Sequence, residues 1–134
     1  MKVLTSIIVM PFETDLGGVV SNTRYLEYLE RGRAALMRAS GISVAHLWEE
    51  HGVQFIVRRA EVDYLGFARH EEELQLETRV VQYTGATTII GHELSRAADG
   101  AIILRAQQTL AYLNTKWRPV RVPAFLREAL PAEL

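Results

Sequence analysis

Phe12-Glu13-Thr14-Asp15-Leu16-Gly17-Gly18-Val19-Val20-Ser21-Asn22-Thr23-Arg24-Tyr25-Leu26-Glu27-Tyr28-Leu29-Glu30-Arg31-Gly32-Arg33 joins a loop to a helix. Upstream, Lys2 to Met10 is rich in β-branched residues and reads as a first strand, which Pro11 ends. The loop Glu13 to Ser21 carries Gly17-Gly18. Asn22 or Thr23 is placed to cap a helix, and Tyr25, Leu26, Leu29, Gly32, Leu36 and Met37 then recur at helical spacing. Ser40-Gly41 stops it, with Gly41 suited to a left-handed cap. Gly32 inside the helix costs about 1 kcal/mol relative to alanine, which predicts a close neighbour there. Glu27 and Arg31 stand four apart, the spacing of a solvated ion pair worth a few tenths of a kcal/mol.

Downstream, Val44 to His51 reads as a short helix ended by Gly52. Val53, Phe55 and Val57 then alternate with Gln54 and Arg58. After a loop at Tyr64 to His70, Leu74, Leu76, Thr78 and Val80 alternate with Glu73, Gln75, Glu77 and Arg79. Gly85 marks a turn, Thr87 to Arg96 forms the next run, and Asp99-Gly100 is a hairpin turn leading into Ala101 to Asn114. Arg118-Pro119 through Pro123 leads to a short C-terminal helix. Strand, long helix, short helix and four strands make an α+β domain spanning 1–134, with one helix against a mainly antiparallel five-stranded sheet. A cystatin-like or other α+β roll fits this pattern nearly as well.

The 134 residues include 15 basic and 16 acidic side chains, a formal net charge of -1, and 49% are hydrophobic. That balance leaves no electrostatic footprint for nucleic acid or an anionic membrane. The absence of cysteine excludes disulfides, cysteine-ligated metals and a thiol nucleophile. The apolar run before Pro11 is far shorter than the roughly 20 residues of a membrane span, and no signal-peptidase site follows it. The expected compartment is the cytoplasm. His46 and His51 miss the i,i+4 spacing of the zinc-binding His-Glu-x-x-His motif. His70 adjoins Glu71-Glu72-Glu73, and His92 alternates within a strand. No metal is expected.

Asp15, Gly18, Val19, Asn22, Tyr25, Leu26, Glu30 and Arg33 fall on the signature of the 4-hydroxybenzoyl-CoA thioesterase family of hotdog proteins, which the chain resembles. Arg118-Pro119-Val120-Arg121-Val122-Pro123 is similar to the family's exit segment. The resemblance implies a hotdog fold, a five-stranded mainly antiparallel sheet wrapped around one long helix. It also implies acyl-CoA thioesterase activity without a cofactor, and a homodimer or homotetramer whose sites lie between subunits. Many bacterial members carry His at the place of Asn22, Tyr at Ser21 and Tyr at Pro11, which leaves the acyl group and its carrier, coenzyme A or acyl-carrier protein, open.

A thioester has a good leaving group, so the site needs only an attacking group and something to hold the oxyanion. On the resemblance, Asp15 attacks, as a nucleophile forming an anhydride or as a general base on water. Backbone amides of Gly17, Gly18 and Val19 can hold the oxyanion. Asn22 can donate to the thioester carbonyl or hold the water, although an Asn there is by default a helix cap. Tyr25 suits a core or pocket wall. Arg69 and Arg118 are candidates for the phosphates of coenzyme A, and Thr87 and Thr88 for facing the acyl group from a partner subunit. A non-catalytic acyl-thioester binder competes with this reading. So does a hotdog dehydratase or hydratase, which would want a histidine between Asp15 and Gly41, where none stands.

Overall fold

Residues 1–133 are described by a computed structural model. The chain runs β1 (Lys2–Ile8), a 3₁₀ turn (Pro11–Glu13), α1 (Arg24–Ser40), α2 (Val44–His51), β2 (Gln54–Tyr64), β3 (Glu73–Tyr83), β4 (Thr87–Arg96), β5 (Ile102–Leu113), β6 (Pro119–Val120) and α3 (Ala124–Ala129). The long strands lie in the order β1-β3-β4-β5-β2, all neighbours antiparallel, and β6 adds two residues to β5. This is the hotdog arrangement. The sheet curls around α1, helped by register shifts at Val57/Arg59 in β2 and Val80/Gln82 in β3, because a bulge bends its strand and raises the local twist.

Period-two alternation sorts the strands. Leu74, Leu76, Thr78 and Val80 of β3, Ile90, His92 and Leu94 of β4, and Leu104, Ala106, Gln108, Leu110 and Tyr112 of β5 are buried. The 17-residue α1 lays Tyr25, Tyr28, Leu29, Gly32, Leu36 and Met37 on that surface. Each large apolar side chain buried there contributes roughly 1.5–3 kcal/mol. The close neighbour expected at Gly32 is present: a Cβ on it would lie 2.3 Å from Thr78 Oγ1 and 2.8 Å from Leu76 Cδ2. Gly41 ends the helix at φ 80°. The expected Glu27–Arg31 pair does not form; Glu27 is held instead by Arg24 at 3.1 Å, one turn back.

The core is divided. Tyr25, Tyr28 and Leu29 pack with Ile7, Val9, Leu74, Leu76, Leu94 and Leu104. Leu36 and Met37 pack with Val80, Ile90, Leu110, Tyr112, Leu126 of α3 and Leu130 at its end. Between the two clusters lie Thr78, His92 and Gln108, one from each central strand. The edges differ as well. β1 buries Ile7 completely, whereas β2 has no buried residue along its length and leaves Ile56 and Val57 exposed. No helix among the described residues is long and apolar enough to cross a membrane.

Candidate active site

Residues 14–20 form a narrow loop closed on itself. Thr14 bridges Val20, Asp15 N donates to Val19 O at 2.9 Å, and Ser21 N donates to Glu13 O at 3.0 Å. The tip turns through Gly18 at φ 76°, a left-handed conformation that favours glycine. Gly17 N donates to Asp15 Oδ1 at 2.8 Å and Gly18 N to Asp15 O at 3.0 Å. One carboxylate oxygen of Asp15 is thus fixed by its own turn. The residue is exposed, and Oδ2 accepts no hydrogen bond from the described residues.

The frame behind this loop is buried. Glu13 Oε1 accepts from Tyr28 Oη and from Met10 N, both at 2.9 Å. Burial, then the bond to Glu13, raises the Tyr28 pKa well above its ordinary value, so the phenol stays a donor. Val20 N donates to Ala68 O at 2.8 Å, and Val19 bridges Arg69. Arg69 is therefore brought beside the Asp15 loop. Tyr25 is 4% exposed, accepts from Ala68 N at 3.3 Å and meets Tyr28 edge-on at 5.9 Å. It belongs to the core wall, and burial raises its pKa.

Two expectations are corrected. Asn22 does not cap α1: Thr23 occupies the cap position with helical φ and ψ of −72° and −28°, and no side chain bonds the first turn. The chain enters the helix already turning, as Arg24 N donates to Ser21 O at 2.9 Å, so a side-chain cap has no place. Nor are Gly17 and Gly18 free oxyanion donors, since both amides are spent on Asp15 itself. The amides of Val19, Asn22 and Thr23 donate to nothing among the described residues. Val19 is held against Asp15 through the Asp15 N–Val19 O bond, and Asn22 and Thr23 stand at the positive end of α1, where orphan N–H groups favour negative charge. The Asn22 carbonyl accepts from Tyr64 Oη at 3.1 Å, which ties this region to the end of β2.

The remaining candidates lie elsewhere. Arg118 is in the β5–β6 turn, its N bonded to Asn114 Oδ1 at 3.1 Å, beside the opposite end of β2, where Gln54 pairs Leu113. At about 3.3 Å per residue, Phe55 and Tyr64 are some 30 Å apart along the strand. Within one chain Arg118 is thus not near Asp15. Thr87 is buried with its hydroxyl taken by Thr84 at 2.6 Å. Thr88 bonds Tyr112 Oη at 2.6 Å and lines a small apolar cavity at this same end.

Sequence reading missed a buried polar belt. Gln108 Oε1 accepts from Arg33 Nη1 at 2.8 Å and faces His92 Nε2 at 2.8 Å, while His92 Nδ1 meets Thr78 Oγ1 at 3.0 Å. An amide oxygen only accepts, so Nε2 carries the proton and Nδ1 accepts from Thr78. Burial and then the Arg33 charge push the imidazole down, to about 4, although the Gln108 bond pulls the other way. Arg33 Nε is buried without a partner. Residues 33, 78, 92 and 108 share no local spacing; only the β3–β4–β5 register aligns them. Glu13 behind Asp15 was missed because its buried partner Tyr28 lies 15 residues on, in α1. A larger cleft, about 430 Å³, lies on the sheet face away from α1, but its charges include the Glu77–Arg79 and Glu93–Arg105 pairs at 3.3 and 3.0 Å.

A family model described as thioesterase-like superfamily matches residues 9–130. The chain is 31% identical to an acyl-CoA thioesterase (YbgC) of Haemophilus influenzae over 118 residues, 87% of this chain and 85% of that protein. It is 25% identical to a chloroplastic acyl-acyl carrier protein thioesterase of Arabidopsis thaliana over 119 residues, 89% of this chain and 62% of that protein. Among solved structures, a probable thioesterase from Bartonella henselae matches with a TM-score of 0.85 at 26% identity, covering 92% of this chain and all of that one. A 4-hydroxybenzoyl CoA thioesterase mutant, complexed with 4-hydroxybenzoyl CoA, matches with a TM-score of 0.90 over 96% of this chain and 98% of that one; at 16% identity the likeness is one of fold.

Proposed function

The chain belongs to the thioesterase-like superfamily, and from that premise we propose that it hydrolyses acyl-CoA thioesters to the free acid and coenzyme A, with Asp15 as nucleophile or general base. The observation that carries this is the exposed Asp15 carboxylate, pinned through Oδ1 by Gly17 and open at Oδ2. A carboxylate so held attacks the thioester carbon directly, or takes a proton from water that does. The open amides of Val19, Asn22 and Thr23 supply donors for the oxyanion, and each such donor typically lowers the barrier by roughly 3–4 kcal/mol. The thiolate then departs without strong acid assistance. Coenzyme A is favoured over acyl-carrier protein by the 31% identity to the acyl-CoA enzyme, against 25% to the acyl-carrier one.

The working form in this proposal is at least a dimer joined along β2, with a tetramer built from two such dimers. β2 leaves a long run of backbone donors and acceptors unpaired on its outer side, and none of its residues is fully buried. Antiparallel pairing of two β2 strands about a two-fold axis sets the Tyr64 end of one against the Gln54 end of the other. That pairing brings Arg118 of one subunit toward Asp15 of its partner, the role for which it is not placed within one chain.

A thiol-release assay over aromatic, short-chain and long-chain acyl-CoAs tests the activity. Release from at least one class, abolished by Asp15→Asn, is the expected result. Tight acyl-CoA binding without release from any of them would make the chain a binder and defeat the proposal.

A further inference from the structure

We infer that Glu13 and Tyr28 are positioning residues, whose hydrogen bond fixes Asp15 against the open amides at the start of α1 and so governs the chemical step and not the binding of substrate. This inference rests on the thioesterase reading above. The attacking group and two of the oxyanion donors belong to different segments. Asp15 is on the loop, whereas Asn22 and Thr23 stand at the entrance to α1. Each segment is firm within itself, the helix by its own ladder and the loop by the Thr14–Val20 bridge and the Asp15 N–Val19 O bond at 2.9 Å. Catalysis needs the two segments held in one register.

Glu13 is the knot between them. Its Oε1 accepts from Tyr28 Oη in the second turn of α1 and from Met10 N past the end of β1, both at 2.9 Å. Its own N–H donates to Met10 O at 2.9 Å, and its carbonyl accepts from Ser21 N at 3.0 Å, closing the base of the loop. Among the described residues, no other α1 side chain is hydrogen-bonded to residues 11–20. Asp15 lies two residues further on. Thr14, between them, is held to Pro11 O through both its N, at 3.1 Å, and its Oγ1, at 2.7 Å. A shift at Glu13 therefore reaches Asp15 with little slack to absorb it.

The knot is also dry. Tyr28 is 1% exposed and Glu13 9%, so solvent does not replace a donor or acceptor removed there. Both donors converge on one oxygen of Glu13, a task that any acceptor of the same length performs and that an amide oxygen shares with a carboxylate. The effect on turnover is steric. A displacement of about 1 Å between reacting groups costs on the order of a hundredfold in rate. The buried pair holds the groups that meet the reacting carbon, so its loss falls on kcat and leaves KM nearly alone.

The test measures kcat and KM separately, on the acyl-CoA that the wild type cleaves fastest, for Glu13→Ala, Glu13→Gln and Tyr28→Phe. A thermal melt on each sets a temperature at which all are folded. Glu13→Ala should lose about a hundredfold in kcat and Tyr28→Phe about tenfold, each with KM within about threefold of wild type. Glu13→Gln keeps both bonds through its amide oxygen and should stay within about threefold of wild type in kcat. Tyr28→Phe and Glu13→Gln keep the test available if the alanine variant fails to fold. Gln108→Leu, destabilised away from the loop, should keep its kcat within about twofold and so separates lost stability from lost alignment. Unchanged kcat in folded Tyr28→Phe and Glu13→Ala overturns this inference alone, and so does a rise in KM without a fall in kcat. A Gln variant as impaired as the Ala variant also overturns it, because the charge of Glu13 would then be what matters. No release by the wild type from any acyl-CoA overturns the thioesterase reading, and this inference with it.

Discussion

Two polar regions of this molecule are opposites. The Asp15 loop is exposed, and its contacts span two to four residues: Gly17 to Asp15, Gly18 to Asp15, Asp15 to Val19. The belt of Arg33, Gln108, His92 and Thr78 is buried or half-buried, and its bonds join residues 14, 16 and 75 apart. In the loop one carboxylate oxygen is left without a partner in an exposed place. In the belt Gln108 Oε1 and both His92 nitrogens are used, and the donor left over, Arg33 Nε, is buried. Capacity left open to solvent points to chemistry, and capacity consumed or buried points to architecture. The belt holds α1 over the sheet at Gly32, whose Cα lies against Thr78, and the loop hangs from the start of that helix.

The contrast predicts that damage to the loop removes activity and spares the fold, while damage to the belt does the reverse. Asp15→Asn should give the largest effect, a loss of at least about a thousandfold in turnover. Its thermal melt should overlay the wild type, because the amide oxygen still accepts from Gly17. A variant keeping turnover within tenfold of wild type would remove Asp15 from the mechanism. Gln108→Leu should come next, and in the other currency. It strips the acceptor from both His92 Nε2 and Arg33 Nη1, leaving two buried donors unpaired, at a cost of roughly 3 kcal/mol in stability. Turnover per folded molecule should stay within about twofold. A urea titration and an active-site titration together check both halves.

The belt also predicts an acid limit on stability. Burial holds the His92 pKa in the fold at about 4, below the ordinary value of 6.5, so the ring is neutral at neutral pH. Lowering the pH from 6.5 protonates the unfolded chain before the folded one and so favours unfolding. The stabilisation is complete above pH 6.5 and declines as the pH falls toward 4, by roughly 3 kcal/mol over that range. Urea midpoints for wild type and His92→Gln, compared at about pH 7 and about pH 4.5, isolate it. The variant should show a shallower fall than the wild type; parallel falls would assign the acid sensitivity to other groups.

The same contrast explains what could be read from the sequence. The element order, the turns at Gly41, Gly52 and Asp99-Gly100, and the close packing at Gly32 were legible because each rests on one residue's conformational or steric need. Asp15 was legible as a turn residue by spacing and as a catalytic group by the motif around it. The belt was not, since His92, Gln108 and Thr78 sit at ordinary alternating positions, and nothing in a strand's own pattern says which polar residue will face its neighbour's. The Glu27–Arg31 spacing misled because Arg24, one turn back, competes for the same carboxylate. Arg118 and Thr88 were matched to the site by the family pattern alone; within one chain they lie at the other end of β2.

Asn22 tests the loop side of the comparison at its finest scale. An Asn before a helix usually bonds the first turn, and losing that bond costs about 1 kcal/mol. Here Thr23 stands at the cap and no side chain bonds the turn, so Asn22→Ala should change stability by less than about 0.5 kcal/mol. Any loss of turnover then reports on chemistry alone. The side-chain amide, exposed beside the open amides of α1, can donate to the thioester carbonyl or hold the attacking water. That role predicts a loss of about tenfold, less than that of a full oxyanion donor. An amide does not titrate near neutral pH, so the wild-type rate profile should carry no group near 6.5 from this position, whereas Asn22→His should introduce one. Asn22→Ser separates the remaining possibilities, since serine keeps a polar group but reaches less far. If Ala and Ser both keep full turnover, the side chain is idle, and the site reduces to Asp15 and backbone amides. If both fall tenfold with unchanged melts, the amide is part of the site.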